Sequence, residues 1–255
     1  MRMQVSVIVP TLNEVENILE LFQYFKGISE GREFEFIVVD GGSKDGTVEC
    51  LLNHEEIVLI CTSAGRAHQL NTGAKYATAR WLYFLHADTR PPIDFWTHLE
   101  DMDQKGYESG CFRLAFDDPH PLLRFCSWCT RIDWNCFRFG DQSLLVSKEL
   151  FHRLGGYDND RYMLEDNDLV VRLTKGGRFS LRPAEVLTSA RKYRKHGPVY
   201  LQSVYCLLYL ADRCGLSQKC LLKLYRYLIR RPSLKANEQA GASGTRLQRI
   251  GGSQL

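Results

Sequence analysis

No run of this chain is apolar over the roughly 20 residues that a membrane-spanning helix needs. The longest near the C-terminal end, Val204 to Ala211, falls well short. The start, Met1 to Pro10, is apolar over too few residues before Thr11-Leu12-Asn13-Glu14 to act as a signal peptide, so a cytoplasmic protein is expected. Dense cysteine spacing is missing too. The nine cysteines are odd in number and scattered, which excludes a disulfide scaffold and favours reduced thiols. Cys126-Ser127-Trp128-Cys129 forms a CxxC, and Cys136 follows, but no second pair or nearby histidine completes four zinc ligands. With Phe125, Trp128 and Trp134 around them, buried free thiols are the better reading. Internal repeats are absent, and after Pro232 apolar residues give way to Gly, Ala, Ser and Gln, the composition of a disordered tail.

What is present is the composition of an ordinary globular protein, 44% hydrophobic and 25% charged over 255 residues, enough for one sizeable core. Charge is unevenly placed. Between Val186 and Arg231 ten Lys or Arg face one acid, Asp212, and the rest of the chain is net acidic. A basic, aromatic-rich C-terminal segment of this kind suits an anionic lipid or phosphate surface, which would place the protein peripherally at the cytoplasmic membrane face. The competing expectation is that these helices dock on the catalytic body. No nucleic-acid partner is expected.

Short β-branched runs alternate with helical spacing through the first third of the chain. Val5 to Val9, Phe34 to Val39, Ile57 to Ile60 and Trp81 to Leu85 read as strands. Asn13 to Lys26, Asp45 to Asn53 and Ala64 to Thr78 read as helices between them. Such alternation predicts a mainly parallel sheet with helices on both faces and a ligand site at the carboxyl edge. The second half is less regular: helices over Ile93 to Gln104, Leu122 to Phe139, Leu164 to Lys175, Pro198 to Arg213 and Ser217 to Ile229, with strands around Cys111 to Phe116 and Ser143 to Val146.

A dinucleotide-binding domain needs glycines in its first strand-to-helix turn. Here that turn is Pro10-Thr11-Leu12-Asn13-Glu14, which excludes a Rossmann dehydrogenase and lacks the glycine-rich triphosphate loop of a nucleotidyltransferase. Its hydroxyl, amide and carboxylate groups suit a nucleoside, or cap the helix. Asp40 ends the second strand beside Gly41-Gly42, and Asp45 reads as a turn or cap residue. Asp88 follows the fourth strand, where an unpartnered carboxylate costs several kcal/mol; a divalent cation would relieve it and neutralise a leaving diphosphate. His86 shares its face if the segment is extended. Glu165-Asp166-Asn167-Asp168 follows Gly155-Gly156-Tyr157, and an Asp there could take a proton from an attacking hydroxyl. On a helix Glu165 and Asp168 share one face while Asp166 points elsewhere.

Taken in order, Val5 to Glu14, Val38 to Thr47, His86-Ala87-Asp88, and Gly155-Gly156-Tyr157 with Glu165-Asp166 resemble the motif set of family 2 glycosyltransferases, over residues 4 to 180. Gly65-Arg66-Ala67, Asn71 to Ala74, Gly140-Asp141-Gln142, Ser189 to Tyr193 and His196-Gly197 resemble a bacterial subgroup termed radical-SAM/selenodomain-associated transferase 2. The resemblance implies an α/β GT-A fold, and with the charge and composition of the C-terminal part the expected division is a catalytic domain over 1–185, a basic helical extension over 186–231 and a tail over 232–255. It implies inverting transfer from a nucleotide-diphospho-sugar to an acceptor hydroxyl, which the basic segment would let be lipid-linked, with Mg²⁺ or Mn²⁺ as cofactor. Asp40, Thr11 and Glu14 would take the nucleoside, Arg66 the diphosphate, Asp88 the metal, and Asp166 would be the base. His86 stands where the pattern has the first Asp of its metal motif, and His196 is a candidate second metal ligand. The alternative is a nucleotide-sugar-binding, regulatory or inactive relative.

Overall fold

Residues 5–230 are described by the structure, a computed structural model, so the tail expected from position 232 lies outside the described residues. The chain opens with β1 (Val5–Thr11), α1 (Val15–Ser29), β2 (Phe34–Asp40), α2 (Thr47–Leu51), β3 (Ile57–Cys61), α3 (Arg66–Tyr76) and β4 (Trp81–Phe84). The short β5 (Thr89–Arg90), α4 (Phe95–Gln104), β6 (Ser109–Phe116) and α5 (Pro121–Cys129) follow. After two single 3₁₀ turns, Asn135–Phe137 and Gly140–Gln142, come β7 (Leu144–Ser147), α6 (Lys148–Arg153), α7 (Glu165–Gly176), β8 (Phe179–Thr188), α8 (Arg191–His196), α9 (Pro198–Arg213) and α10 (Gln218–Arg230).

The strands form one sheet in the order β3-β2-β1-β4-β7-β6-β8-β5, as the alternation of the first half predicts. β3, β2, β1 and β4 are parallel, and β7 joins β4 antiparallel. The chain winds outward from β1 to β3, then crosses back to place β4 on the other side of β1. That reversal opens a crevice at the carboxyl ends of β1 and β4, the place where open α/β sheets bind ligands. Thr11 ends one strand and Phe84 the other, so Glu14, His86 and Asp88 are delivered to the crevice by topology.

Helix α1 forms because Ile18, Leu21, Phe22, Phe25 and Ser29 recur at helical spacing and are all buried. Phe25 is fully buried at the centre of an aromatic cluster, with ring centroids 5.1 Å from Phe34, 5.3 Å from Phe95 and 6.4 Å from Tyr83. Truncation there leaves a cavity that the sheet cannot collapse into, and Phe25→Ala is expected to lower stability by about 3–5 kcal/mol. A urea-denaturation midpoint matching that of the wild type would show that this cluster is not what holds α1 to the sheet.

Two regions differ from the sequence reading. The helix expected over Leu122 to Phe139 ends at Cys129, because Thr130 Oγ1 donates to Ser127 O and accepts from Leu114 N of β6. Beyond it the chain wraps the buried Arg138, whose guanidinium donates to Thr130 O and Ile132 O, both at 2.9 Å. β8 was not anticipated, for Arg182, Pro183 and Glu185 disguise it. A register shift against β6 between Cys111 and Arg113 accommodates the proline, and Arg182 is buried against Asp101 and His98. The sheet therefore runs past position 185 to Thr188.

The C-terminal helices dock on the body. Leu123 of α5 packs with Ala190, Tyr193 and Leu201, while Val204, Leu208 and Leu221 form a second cluster reaching Met163. Arg161 bridges Asp168 at 3.3 Å and Asp212 at 3.1 Å, and Arg213 donates to Asn167. Val199, Leu207 and Leu210 remain exposed along α9. No helix among the described residues is long and apolar enough to cross a membrane.

Candidate active site

The first wall of the crevice is two loops latched together. Asn13, held at φ 57°, donates from its backbone N–H to Ser43 Oγ and accepts from Lys44 N. Asp45 Oδ2 accepts from Val15 N at 3.1 Å, capping α1 from a neighbouring loop. Asp40 is buried, with Oδ2 accepting from Gly42 N and Ser43 N at 2.8 Å each. Thr11 is equally buried, its hydroxyl 3.4 Å from Val39 O and from Asp40 Oδ1. Both residues thus fix the loops on this side of the crevice. Gln69 was not singled out from the sequence, yet its Nε2 donates to Thr11 O at 2.9 Å and Val39 O at 2.8 Å. It ties the ends of β1 and β2 to α3, the helix that begins with Arg66.

Arg66 carries the second wall. Its Nε lies 3.3 Å from Glu165 Oε1 and its Nη2 3.1 Å from Asp166 Oδ2, so one guanidinium spans two adjacent acids. The sequence sets Glu165 with Asp168 and apart from Asp166, but in the structure Glu165 and Asp166 share Arg66 while Asp168 pairs with Arg161 and Arg172. Helix α7 starts straight after Leu164, a non-glycine residue at φ 61°, and that turn presents its first acids to Arg66. Burial opposes the Arg66 cation, but Asp166, Glu165 and Asp141 outweigh it and hold the pKa above the usual arginine value. Burial, then the charge of Asp166, pushes the Glu165 carboxyl up, and the same two causes raise the Tyr157 phenol well above its ordinary range. Asn71 fixes the Gly155-Gly156-Tyr157 turn by accepting from Tyr157 N and donating to Tyr157 O. Gly140 leaves no room for a side chain: a Cβ there would stand 2.1 Å from Asp166 Oδ2 and 2.5 Å from Arg66 Nη2.

Between the walls lie His86, Asp88 and Asp141. His86 Nδ1 is 3.4 Å from Asp141 Oδ1, and burial, then Arg66 and Lys192, lowers its pKa well below the ordinary histidine value, so the ring is neutral. Its Nε2 is buried with no hydrogen-bond partner. Asp88 Oδ2 is 3.6 Å from Arg191 Nη2, and the same guanidinium bonds Glu14 Oε1. Burial raises the Asp88 pKa; Arg191 opposes this, and Asp141 and Glu14 add to the rise. Asp141 is raised likewise, by burial first and against Arg66.

A Mg²⁺ or Mn²⁺ ion takes one or two protein carboxylates and fills its remaining positions with phosphate and water oxygens. Asp88, with Asp141 close enough to raise its pKa, fits such a limited donor set. Among the described residues no three His, Cys, Asp or Glu side chains gather as a fuller protein cage. His196, at the far end of α8, forms no hydrogen bond or ion pair with Asp88. The structure thus brings Asp88, His86, Glu14, Arg66 and Asp166 into one charged network, with Asp40 and Thr11 beneath it. Asp141, Tyr157, Arg191 and Lys192 join them without having been assigned a role from the sequence. The sequence signal for Asp141, Arg191 and Lys192 was membership of short segments, Gly140-Asp141-Gln142 and Ser189 to Tyr193, that resemble the subgroup pattern, and for Tyr157 its place in the Gly155-Gly156-Tyr157 motif.

Known proteins resemble the chain in both sequence and shape. Residues 6–125 match the family model described as Glycosyl transferase family 2. An uncharacterized glycosyltransferase of Bacillus subtilis (strain 168), YkcC, is 28% identical over 113 residues, which is 41% of this chain and 35% of that protein. An uncharacterized glycosyltransferase of Synechocystis, sll0501, is 27% identical over 116 residues, 36% of its length. The match thus spans about a third of the curated relatives. The mannosyltransferase PcManGT of Pyrobaculum calidifontis, solved with GDP-Man and Mn²⁺, superposes with a TM-score of 0.65 at 21% identity, covering 96% of this chain and 77% of that one. TarS 1–349 of S. aureus, solved with UDP-GlcNAc, gives 0.58 at 16% identity over 73% of this chain and 58% of its own. The fold is of the GT-A type, with a mostly parallel curled sheet between helices.

Proposed function

We propose that the chain is a family 2 glycosyltransferase that moves a sugar from a nucleotide-diphospho-sugar to an acceptor hydroxyl with inversion. The observation that carries this reading is a single charged network at the β1–β4 crevice. Asp88 stands at one end and Asp166 at the other, joined through Arg191, Asp141, His86 and Arg66. The family match, and neighbours whose structures hold GDP-Man or UDP-GlcNAc, support sugar transfer.

In this mechanism Asp166 accepts the proton of the acceptor hydroxyl as its oxygen attacks the anomeric carbon, and the bond from that carbon to the diphosphate oxygen breaks on the opposite side. Asp88, with Asp141, would hold a divalent ion, which when bound neutralises charge on the departing diphosphate. Glu14 lines the mouth of the crevice, while Asp40 and Thr11 fix the loops against which the nucleoside lies. Arg66 holds Asp166 in place and reaches the diphosphate from the α3 side. The space enclosed by Arg66, His86, Gly140, Tyr157 and Asp166 is about 10 Å³, room for one water, so the sugar rests on the rim of this pocket rather than inside it.

A panel of nucleotide sugars screened by thermal shift, with and without Mn²⁺, tests the reading. A donor at 100 times its dissociation constant stabilises the native state by about 2.7 kcal/mol. One nucleobase class is expected to raise Tm, and to do so more strongly with Mn²⁺. No shift with any uridine, guanosine, thymidine or cytidine donor, with or without the ion, overturns it.

A further inference from the structure

Arg191 has the position of a ligand residue rather than a surface cation. Its backbone is pinned: Ser189 N donates to Asp88 O at 3.1 Å, Ala190 N donates to Asp117 Oδ1 at 2.6 Å, and Tyr193 is buried on Phe116. Its side chain is 43% exposed. At the tip, the guanidinium bonds Glu14 closely and stands 3.6 Å from Asp88, too far for a tight pair. Glu14 is in turn oriented by Asn17 Nδ2, 2.7 Å from Oε2. Lys192 is near enough to oppose, though not overcome, the burial that raises the Asp88 and Asp141 pKa values.

We propose that Arg191 is a diphosphate-binding residue whose guanidinium, parked on Glu14 over Asp88, competes with the divalent cation for the Asp88 carboxylate. The inference rests on the glycosyltransferase reading and extends it to a residue on the side of the crevice opposite Arg66. An ion on Asp88 and the parked guanidinium are like charges a few ångströms apart, so metal alone binds against repulsion. A diphosphate placed between them turns that repulsion into two attractions, since a planar guanidinium grips phosphate oxygens in a bidentate fashion. Metal and nucleotide therefore bind cooperatively, and by linkage each strengthens the other by the same factor.

The test measures Mn²⁺ binding by the EPR signal of free Mn²⁺, and binding of UDP and GDP by calorimetry, in the full chain and in Arg191→Met, Arg191→Lys and Asp88→Asn. Arg191→Met is expected to bind Mn²⁺ alone about threefold more tightly. It is also expected to bind the nucleoside diphosphate with Mn²⁺ about tenfold more weakly, so the cooperativity shrinks. Arg191→Lys restores the weak Mn²⁺ binding and part of the nucleotide affinity. A residue that merely braced the fold would weaken both ligands together, and Tm of each variant reports such damage. Unchanged or weaker Mn²⁺ binding in Arg191→Met, or nucleotide binding equal to wild type, overturns the inference. If Asp88→Asn meanwhile loses Mn²⁺-dependent nucleotide binding, the glycosyltransferase reading survives that failure. Absence of nucleotide binding in the wild type overturns both.

Discussion

Asp166→Asn is expected to lower the turnover number by about 10²–10⁴-fold while donor affinity stays near that of the wild type. The substitution keeps the shape of the side chain and still offers an oxygen to Arg66 Nη2, which lies 3.1 Å from the carboxylate. What it removes is the capacity to accept a proton. Loss of an interaction used only during the chemical step appears in kcat and kcat/KM alike, whereas lost ground-state binding appears in KM. Glu165 is the natural control, since it pairs with the same guanidinium and is raised by burial and by Asp166. Glu165→Gln should alter turnover far less. Steady-state kinetics beside calorimetric donor binding separates the possibilities. Equal, measurable turnover in Asp166→Asn and wild type would remove the base assignment, whereas donor binding with no turnover in the wild type would favour a chain that binds nucleotide sugar without transferring it.

How much of this site could be read beforehand follows from which contacts are local. The first four strands were legible because each is a short apolar run, β1 and β4 almost wholly buried, and parallel strands between helices leave little else to decide. Asp88 and Asp166 were legible for a related reason, each lying within a few residues of an element boundary that periodicity locates. Asp141 and Arg191 were not. Asp141 reaches His86 only because the loop after α5 folds around the buried Arg138, and nothing in the local pattern of Leu122 to Phe139 opposes a helix. Arg191 reaches Asp88 through β8, whose Pro183 and charged neighbours conceal a strand that a bulge against β6 makes possible. Both omissions are tertiary contacts overriding local propensity. They also account for part of the basic count of the C-terminal segment. Arg191 turns into the crevice and Arg194 pairs with Asp117, while Arg213 bonds the body, so part of that charge is spent inside the molecule.

Asp88→Asn should move stability and ligand response in opposite directions. The Asp88 carboxyl is held above its ordinary pKa chiefly by burial, with Arg191 opposing and Asp141 and Glu14 reinforcing the rise. For a group raised in the folded state, protonation favours folding. That contribution is full below the unfolded value of about 3.9 and is lost as pH rises through the higher folded value. Near neutral pH the ionised Asp88 is thus a cost borne by the ligand-free protein, and a neutral asparagine removes it. The ligand-free variant is expected to unfold at a higher temperature than wild type at about pH 7.5, with the difference shrinking as pH falls toward about 4. With nucleoside diphosphate and Mn²⁺ the order reverses, because the wild type gains about 2.7 kcal/mol at 100 times its dissociation constant and the variant gains little. Thermal unfolding across pH, with and without ligand, reads both effects in one series. A variant less stable than wild type without ligand, yet equally stabilised by Mn²⁺ and nucleotide, would mean that Asp88 serves the fold and that the ion is held elsewhere.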